Sequence, residues 1–298
     1  MKVLVSGATG YIGGRLVPRL LDAGVEVRCI TRDPARLDLA PWRDRIEVVA
    51  ADALDAATLP SALEGCDVAY YLIHAMEDAT GDYVRRDRQA AVNFREAAAA
   101  GDLQRIIYLG GLGDDDGELS THLESRHEVG RILAKGETAV TELRAAVIIG
   151  SGSVSFELIR HLTEVLPIMF RPRWLRTRCQ PIGIRNVLEI LVAILDEPGA
   201  EDRLYDIGGP DVLTYEEMML TYAEVAELGK RWVVPFPVFN ARLAPGVIGL
   251  VTPLDQATIR PLIESLRTDV VVEGPSPSGF EPEKLFDYRT SVRLALSR

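Results

Sequence analysis

The stretch Val5-Ser6-Gly7-Ala8-Thr9-Gly10-Tyr11-Ile12-Gly13 decides how this chain is read. It sets glycines at 7, 10 and 13 between an apolar, β-branched run, Lys2–Ser6, and a stretch with helical spacing, Tyr11–Ala23. Glycines at such a junction allow a tight turn, let the backbone approach a pyrophosphate and let the helix sit close on the sheet. The N–H groups at the helix start then face the anion. The next apolar run ends at Thr31, so the loop lies inside a strand–helix–strand unit, the context that ties the glycine pattern to a dinucleotide. Gly7, Thr9, Gly10, Tyr11 and Ile12 are the candidate cofactor-binding residues here, against the competing reading of a tight turn without a ligand.

Outward from the loop, short apolar runs recur at Lys2–Ser6, Glu26–Thr31, Ile46–Ala50, Val68–Ile73, Arg105–Leu109 and Arg144–Ile149. They are continuous rather than alternating, the pattern of strands covered on both faces. Between them, Tyr11–Ala23, Asp82–Ala100 and Thr121–Lys135 have helical spacing. This alternation predicts an α/β fold, a Rossmann-type doubly wound parallel sheet. After Gly150 the pattern loosens, with prolines at 167, 172 and 181 and an arginine-rich stretch around Trp174. A helix at Ile184–Asp196, a strand at Arg203–Ile207, a helix at Tyr215–Glu227 and a strand at Arg231–Val234 follow, and the tail after Val272 reads as extended or partly disordered. The expected organisation is an NAD(P)-binding domain over residues 1–150 and a smaller C-terminal substrate lobe over 151–298, interleaved with the last Rossmann elements.

The 298 residues are 47% hydrophobic and 26% charged, which excludes disorder, collagen and coiled coil as a description of the whole chain. Thirty-three Lys and Arg against 44 Asp and Glu give a net charge of −11, arguing against broad contact with nucleic acid or anionic membrane. Cys29, Cys66 and Cys179 are odd in number and lack metal-site spacing, so neither a disulfide framework nor a metal site is expected. No apolar run reaches the roughly 18 residues that span a bilayer, and no signal-peptide pattern opens the chain. A cytoplasmic protein is the expectation.

The end of the second strand bears on which dinucleotide binds. An Asp or Glu there holds a ribose 2′-hydroxyl, whereas an Arg accommodates a 2′-phosphate. The strand ends Cys29-Ile30-Thr31-Arg32, and the nearest carboxylate, Asp33, precedes Pro34 as a helix cap would. Arg32 therefore favours NADP(H), the alternative being a solvated surface charge. After the third strand, Asp52 and Ala53 lie where an acidic side chain can accept from an adenine amino group. Asp52 can equally cap the following helix.

The glycine loop, Thr31-Arg32, Ala51-Asp52, Tyr70-Tyr71-Leu72-Ile73-His74 and Ile107-Tyr108-Leu109-Gly110-Gly111 together resemble the extended and atypical short-chain dehydrogenase/reductases, most nearly the NmrA-like and epimerase-like NAD(P)H-binding members. Gln180-Pro181-Ile182 and Tyr205-Asp206-Ile207-Gly208-Gly209 extend the resemblance. It implies that Leu72, His74 and Gly110 contact the cofactor. It also implies a catalytic Ser or Thr after strand five and a Tyr-x-x-x-Lys pair on the next helix, and this chain departs from both. Strand five runs into Gly110-Gly111-Leu112-Gly113 without a hydroxyl, and His122 and Arg126 stand in the register of the Tyr and the Lys. Arg126 can donate to ribose hydroxyls but does not exchange a proton near neutrality; His122 can exchange one.

His122 and Arg126 are accordingly the candidate catalytic pair of an NADP(H)-dependent oxidoreductase acting on a small organic substrate held between the sheet and the lobe. The missing Ser, Tyr and Lys motivate the alternative, a non-catalytic NADP(H) sensor regulating a protein partner; a scaffold with a structural nucleotide is a third reading. A homodimer is compatible with either of the first two. Asp114-Asp115-Asp116 reads as a solvated turn, Arg171, Arg173, Arg176 and Arg178 as a pocket wall or surface strand, Cys179 as a buried thiol and Met218-Met219 as core. His74 and His127 are poorer acid–base candidates: the first lies where the family contacts the cofactor, and the second falls on another helix face than His122.

Overall fold

The computed structural model describes residues 1–74, 82–114, 119–171, 173–235 and 263–297. Its elements run β1 (Lys2–Ser6), α1 (Gly13–Asp22), β2 (Glu26–Thr31), β3 (Glu47–Ala50), α2 (Leu59–Leu63), β4 (Val68–Tyr71), α3 (Tyr83–Ala99), β5 (Arg105–Gly111), α4 (Thr121–Leu133) and β6 (Ala139–Ala145). They continue with β7 (Ile148–Ile149), α5 (Val154–Val165), β8 (Ile168–Arg171), β9 (Arg178–Cys179), β10 (Ile182–Gly183), α6 (Ile184–Ala193), β11 (Arg203–Ile207), β12 (Leu213–Thr214), α7 (Tyr215–Val225), β13 (Trp232–Pro235) and α8 (Tyr288–Leu296).

Seven strands form one parallel sheet in the order β11-β6-β5-β4-β1-β2-β3. The chain leaves β1 towards β3 and returns to β4 on the opposite side. Val3 therefore aligns with Val27 on one flank and Val68 on the other. Connections that leave a strand in opposite directions open a crevice at its carboxyl end, where α/β sheets bind ligands. Val3, Leu4 and Val5 are wholly buried, as are Leu16, Val17 and Leu20 of α1. On the other side Ala90, Ala91, Phe94, Ala97 and Ala98 give α3 its apolar stripe, and Phe94 meets Tyr71 edge-on at 5.0 Å. Each large apolar side chain so buried contributes about 1.5–3 kcal/mol.

The chain divides into two compact units. The first comprises Met1–Gly110, Ser125–Arg144 and Leu188–Tyr205, the second Gly111–Glu124, Ala145–Val187 and Asp206–Arg298. Within the first, the Arg105 guanidinium donates to the Leu195 carbonyl at 2.7 Å and Tyr70 donates to that of Leu191. Residues 188–205 thereby return to the sheet, and Arg203–Ile207 lies beside β6 rather than with the other late elements. The second unit is built on α5, α7 and α8 with three two-stranded pairs, β7 with β10, β8 with β13 and β9 with β12. Phe156 meets Tyr222 at 5.9 Å, the Tyr288 hydroxyl donates to the Met218 carbonyl at 3.1 Å, and Thr214 with Glu217 forms a capping box on α7.

Three sequence expectations need correction. The strand expected at Arg144–Ile149 is instead Ala139–Ala145, followed by the short β7 in the other unit. Polar residues hid it: Glu142 pairs with Arg144 at 3.0 Å and the Thr141 hydroxyl donates to the Ala200 carbonyl at 2.6 Å, so the strand is buried without being apolar. The helix Val154–Val165 fell in the stretch read as loosened. The tail is not extended throughout; it closes with α8, capped by Asp287, whose Oδ1 accepts from the Thr290 N–H at 2.7 Å. The dense Pro and Gly before it masked the helical spacing.

Candidate functional site

The loop after β1 is shaped by contacts that exclude side chains. Gly7 has φ +74°, and a Cβ there would stand 2.7 Å from the Leu72 carbonyl oxygen beyond β4. A Cβ on Gly13 would collide with the Gly7 carbonyl oxygen. The Gly10 N–H closes the turn on Gly7 O at 2.9 Å, while Gly10 itself is exposed, with Thr9, Tyr11 and Ile12 partly so. The Ser6 hydroxyl ties this loop to the neighbouring strand end, donating to Tyr70 O at 2.8 Å and accepting from the Leu72 N–H at 3.1 Å. A glycine-lined backbone cradle at a helix start, at the switch point of a parallel sheet, suits the pyrophosphate of a dinucleotide.

Arg32 is exposed at the end of β2 and makes no hydrogen bond or ion pair with any described residue. Asp33 is occupied, its Oδ1 accepting from the Ala35 N–H at 3.1 Å as N-cap of a short 3₁₀ turn with Pro34 in its first turn. The strand end therefore presents a cation rather than an available carboxylate. Asp52 accepts from the Leu54 N–H at 3.0 Å, and it is Asp55 that caps the turn after β3. Ala53 is fixed by the buried Asn93, whose amide donates to its carbonyl at 2.8 Å. Asn93 and Ser6 are absent from the sequence candidates; their signal is a polar residue at a position the period assigns to the core.

Arg126, only 7% exposed, spans the ends of two strands. Its Nη2 donates to Leu109 O at 2.6 Å and its Nη1 to Ile73 O at 3.3 Å. The guanidinium lies 4.9 Å from the centre of the Tyr108 ring, whose hydroxyl donates to the Arg126 carbonyl at 2.8 Å. Burial pushes the Tyr71 and Tyr108 phenols well above their usual range, and the Arg126 charge opposes this. Gly110 is buried, and a Cβ there would stand 3.0 Å from the carboxylate of Glu142. Burial raises the Glu142 carboxyl; Arg144 is the main opposing influence.

His122 is half-buried in the first turn of α4 and groups with the second unit, while Arg126, four residues on, groups with the first. His127 is 1% exposed. His74 stands three residues beyond β4, its Nδ1 2.8 Å from the Oδ2 of Asp87 on α3. Asp87 is 1% exposed, a carboxylate on the buried stripe that carries Ala90, Ala91 and Phe94. Sequence reading missed it, although a charge in phase with a helix's apolar face was the available signal.

Among the remaining candidates, Asp115 and Asp116 lie outside the described residues, as do the side chains of Arg171 and Arg173. Arg178 pairs with Asp269 at 2.9 Å on the surface, and Cys179, Met218 and Met219 are core. Among the described residues no group of three or more His, Cys, Asp or Glu could hold a metal ion, and no helix is long and apolar enough to cross a membrane.

Residues 7–149 match the family model described as NAD(P)H-binding. Dihydroflavonol 4-reductase of Zea mays is 28% identical over 123 residues, 37% of this chain and 34% of that protein. The mitochondrial NADH dehydrogenase [ubiquinone] 1 alpha subcomplex subunit 9 of Arabidopsis thaliana is 26% identical over 253 residues, 81% of this chain and 62% of that one. The matched stretches thus span less than two thirds of either relative. The triphenylmethane reductase of Citrobacter sp., solved in complex with NADP(H), superposes with a TM-score of 0.78 at 17% identity, covering 99% of this chain and all of that one. At that identity the likeness is one of fold.

Proposed function

We propose that this chain, whose residues 7–149 match the NAD(P)H-binding family model, is an NADP(H)-dependent oxidoreductase of the atypical short-chain dehydrogenase/reductase kind acting on a small organic substrate. The observation that carries the reading is the cradle itself, where Gly7 is crowded by the Leu72 carbonyl and Gly13 by Gly7, so that backbone and not side chains lines the place a pyrophosphate occupies. Gly7, Thr9, Gly10, Tyr11 and Ile12 hold the pyrophosphate in this reading, Asp52 and Ala53 flank the adenine, and Leu72, His74 and Gly110 lie along the nicotinamide half. Arg32 selects the 2′-phosphate, since it is exposed and spends no donor on any described residue, whereas Asp33 is spent on its cap. Bound there, the nicotinamide supplies a hydride or accepts one. Arg126 uses two donors on carbonyls at the ends of β4 and β5, so its first task is to set those strand ends; any ribose contact draws on its other donors. Among the described candidates, His122 and His74 have side chains able to move a proton near neutrality.

Two observations favour the second reading, a nucleotide sensor that regulates a partner. The cation in the register of the family's Lys is committed to backbone carbonyls, and strand five ends without a hydroxyl. NADPH and NADH titrations by calorimetry, together with NADPH oxidation against a panel of carbonyl and enone compounds, separate the two. Tight NADPH binding with turnover supports the enzyme; tight binding without turnover of any compound supports the sensor; binding of neither nucleotide removes both.

A further inference from the structure

We propose that Asn93 is the positioning residue for adenine recognition: by clamping the Ala53 carbonyl it holds the Asp52 carboxylate where it accepts from the exocyclic amino group of the nucleotide. The proposal rests on the dinucleotide-binding reading above and deepens it. Asn93 is 7% exposed and lies on the face of α3 that also buries Ala90, Ala91, Phe94, Ala97 and Ala98. Asparagine is a poor helix former, and a buried amide is costly unless its donors and acceptor are met. Alanine there would suit the helix better, so what Asn93 contributes lies outside α3.

Its Nδ2 donates to the Ala53 carbonyl at 2.8 Å, and its Oδ1 accepts from the Nε2 of Gln89, one turn earlier, at 2.8 Å. A carbonyl oxygen only accepts, so the amide nitrogen has to face Ala53, and the exposed Gln89 supplies the donor that the outward oxygen needs. The two bonds leave the Asn93 amide a single orientation.

The clamp acts on a short loop tied on either side. The Ala51 N–H donates to the carbonyl of Thr31, the residue before Arg32, at 3.0 Å, and the Asp52 N–H donates to the Thr58 hydroxyl at 3.1 Å. Ala53 is 6% exposed, so without Asn93 its carbonyl is buried with no donor and the loop must move to find one. Asp52 stands among these ties, half-buried, with Oδ1 accepting from the Leu54 N–H at 3.0 Å and no described residue donating to Oδ2. A carboxylate accepts and does not donate. Oδ2, once fixed in place, therefore suits the amino group of adenine and repels the oxygen that hypoxanthine carries at the same position. All of these residues lie within the first compact unit.

The test measures by calorimetry the affinity of NADPH and of its hypoxanthine counterpart for the unmodified protein, for Asn93→Ala, Gln89→Ala and Asp52→Ala, for the Asn93→Ala, Asp52→Ala double variant, and for Thr141→Val. The unmodified protein should prefer NADPH by at least about tenfold. Asn93→Ala should bring the two within about threefold of each other, chiefly by weakening NADPH, and Gln89→Ala should lower the preference at least about twofold. In the Asp52→Ala background the Asn93 change should leave the ratio where it is, because a positioning residue acts only through the group it positions. Thr141→Val, which removes the β6 hydrogen bond to Ala200, should lower thermal stability without moving the ratio. A purely structural Asn93 would weaken both nucleotides equally, so an unchanged ratio in Asn93→Ala overturns the proposal. If that variant does not fold, an unchanged ratio in the surface variant Gln89→Ala does so. A further fall in the double variant, or equal affinity of the unmodified protein for both nucleotides, also overturns it while the oxidoreductase reading stands. Binding of neither nucleotide overturns both.

Discussion

Arg126 holds the carbonyl of Leu109, its Nη2 donating at 2.6 Å from a guanidinium that is 7% exposed. Truncating it to Ala leaves the Leu109 and Ile73 carbonyls without their donor, removes the cation from the Tyr108 ring and opens a cavity. The expected cost is about 3 kcal/mol, read as a lower urea midpoint in the absence of nucleotide. Arg126→Lys should recover only part of this, because an ammonium does not span two carbonyls as a planar fork does. A full-stability Arg126→Ala protein would show that the contacts carry no net energy.

Gly13→Ala should be more damaging than its one added methyl group suggests. The new Cβ collides with the Gly7 carbonyl oxygen, a backbone atom that cannot rotate away, so α1 must shift from β1. We expect a loss of about 2–4 kcal/mol and at least tenfold weaker NADPH binding, with thermal unfolding and calorimetry as the measurements.

Arg32→Ala tests cofactor choice. An exposed guanidinium that meets a 2′-phosphate forms a charge-assisted contact of about 1.5–3 kcal/mol, whereas NADH carries no such group. NADPH affinity should fall by about one to two orders of magnitude with NADH nearly unaffected. An equal loss for both nucleotides, or tighter NADH binding by the unmodified protein, removes the assignment.

Burial pushes the Cys29 and Cys179 thiols up to about 12 and raises that of Cys66 as well. With almost no thiolate at pH 8, none of the three should react with Ellman's reagent in the native protein. All three should react once urea unfolds it. A fast native equivalent would place one of them at the surface.

Glu47 links stability to acid. Hydrogen bonds from Arg28 at 2.9 Å and Lys2 at 2.7 Å hold its carboxyl below the usual carboxylate range. A depressed folded value means that the pair's contribution is complete above the unfolded carboxylate's pKa and is lost as pH falls through the folded one. The Glu47 side chain is 44% exposed, so solvent screening keeps the effect under about 1 kcal/mol. Glu47→Gln should lower Tm slightly at pH 7 and flatten its decline between about pH 5 and pH 3; an unchanged slope would show that other carboxylates dominate there.

The boundary between sequence and tertiary structure follows the range of the interactions. The loop Gly7–Gly13, the strands Lys2–Ser6 and Glu26–Thr31 and the occupation of Asp33 by its own turn were legible in the sequence, because each is marked by neighbouring residues: glycine spacing, continuous apolar runs and an Asp before Pro. The strand Ala139–Ala145 escaped that reading because its polar residues are satisfied from afar, Thr141 by Ala200, and a sequence shows a polar residue without showing its partner. The same holds at the site. His74 was legible as a residue at a strand end, but only the packing of α3 against β4 brought Asp87 to its Nδ1. Only the approach of α4 to two strand ends turned Arg126 from a ribose donor read by register into the clamp on Ile73 and Leu109. Periodicity says which face of a helix is buried; what a charge on that face meets is decided where the elements dock.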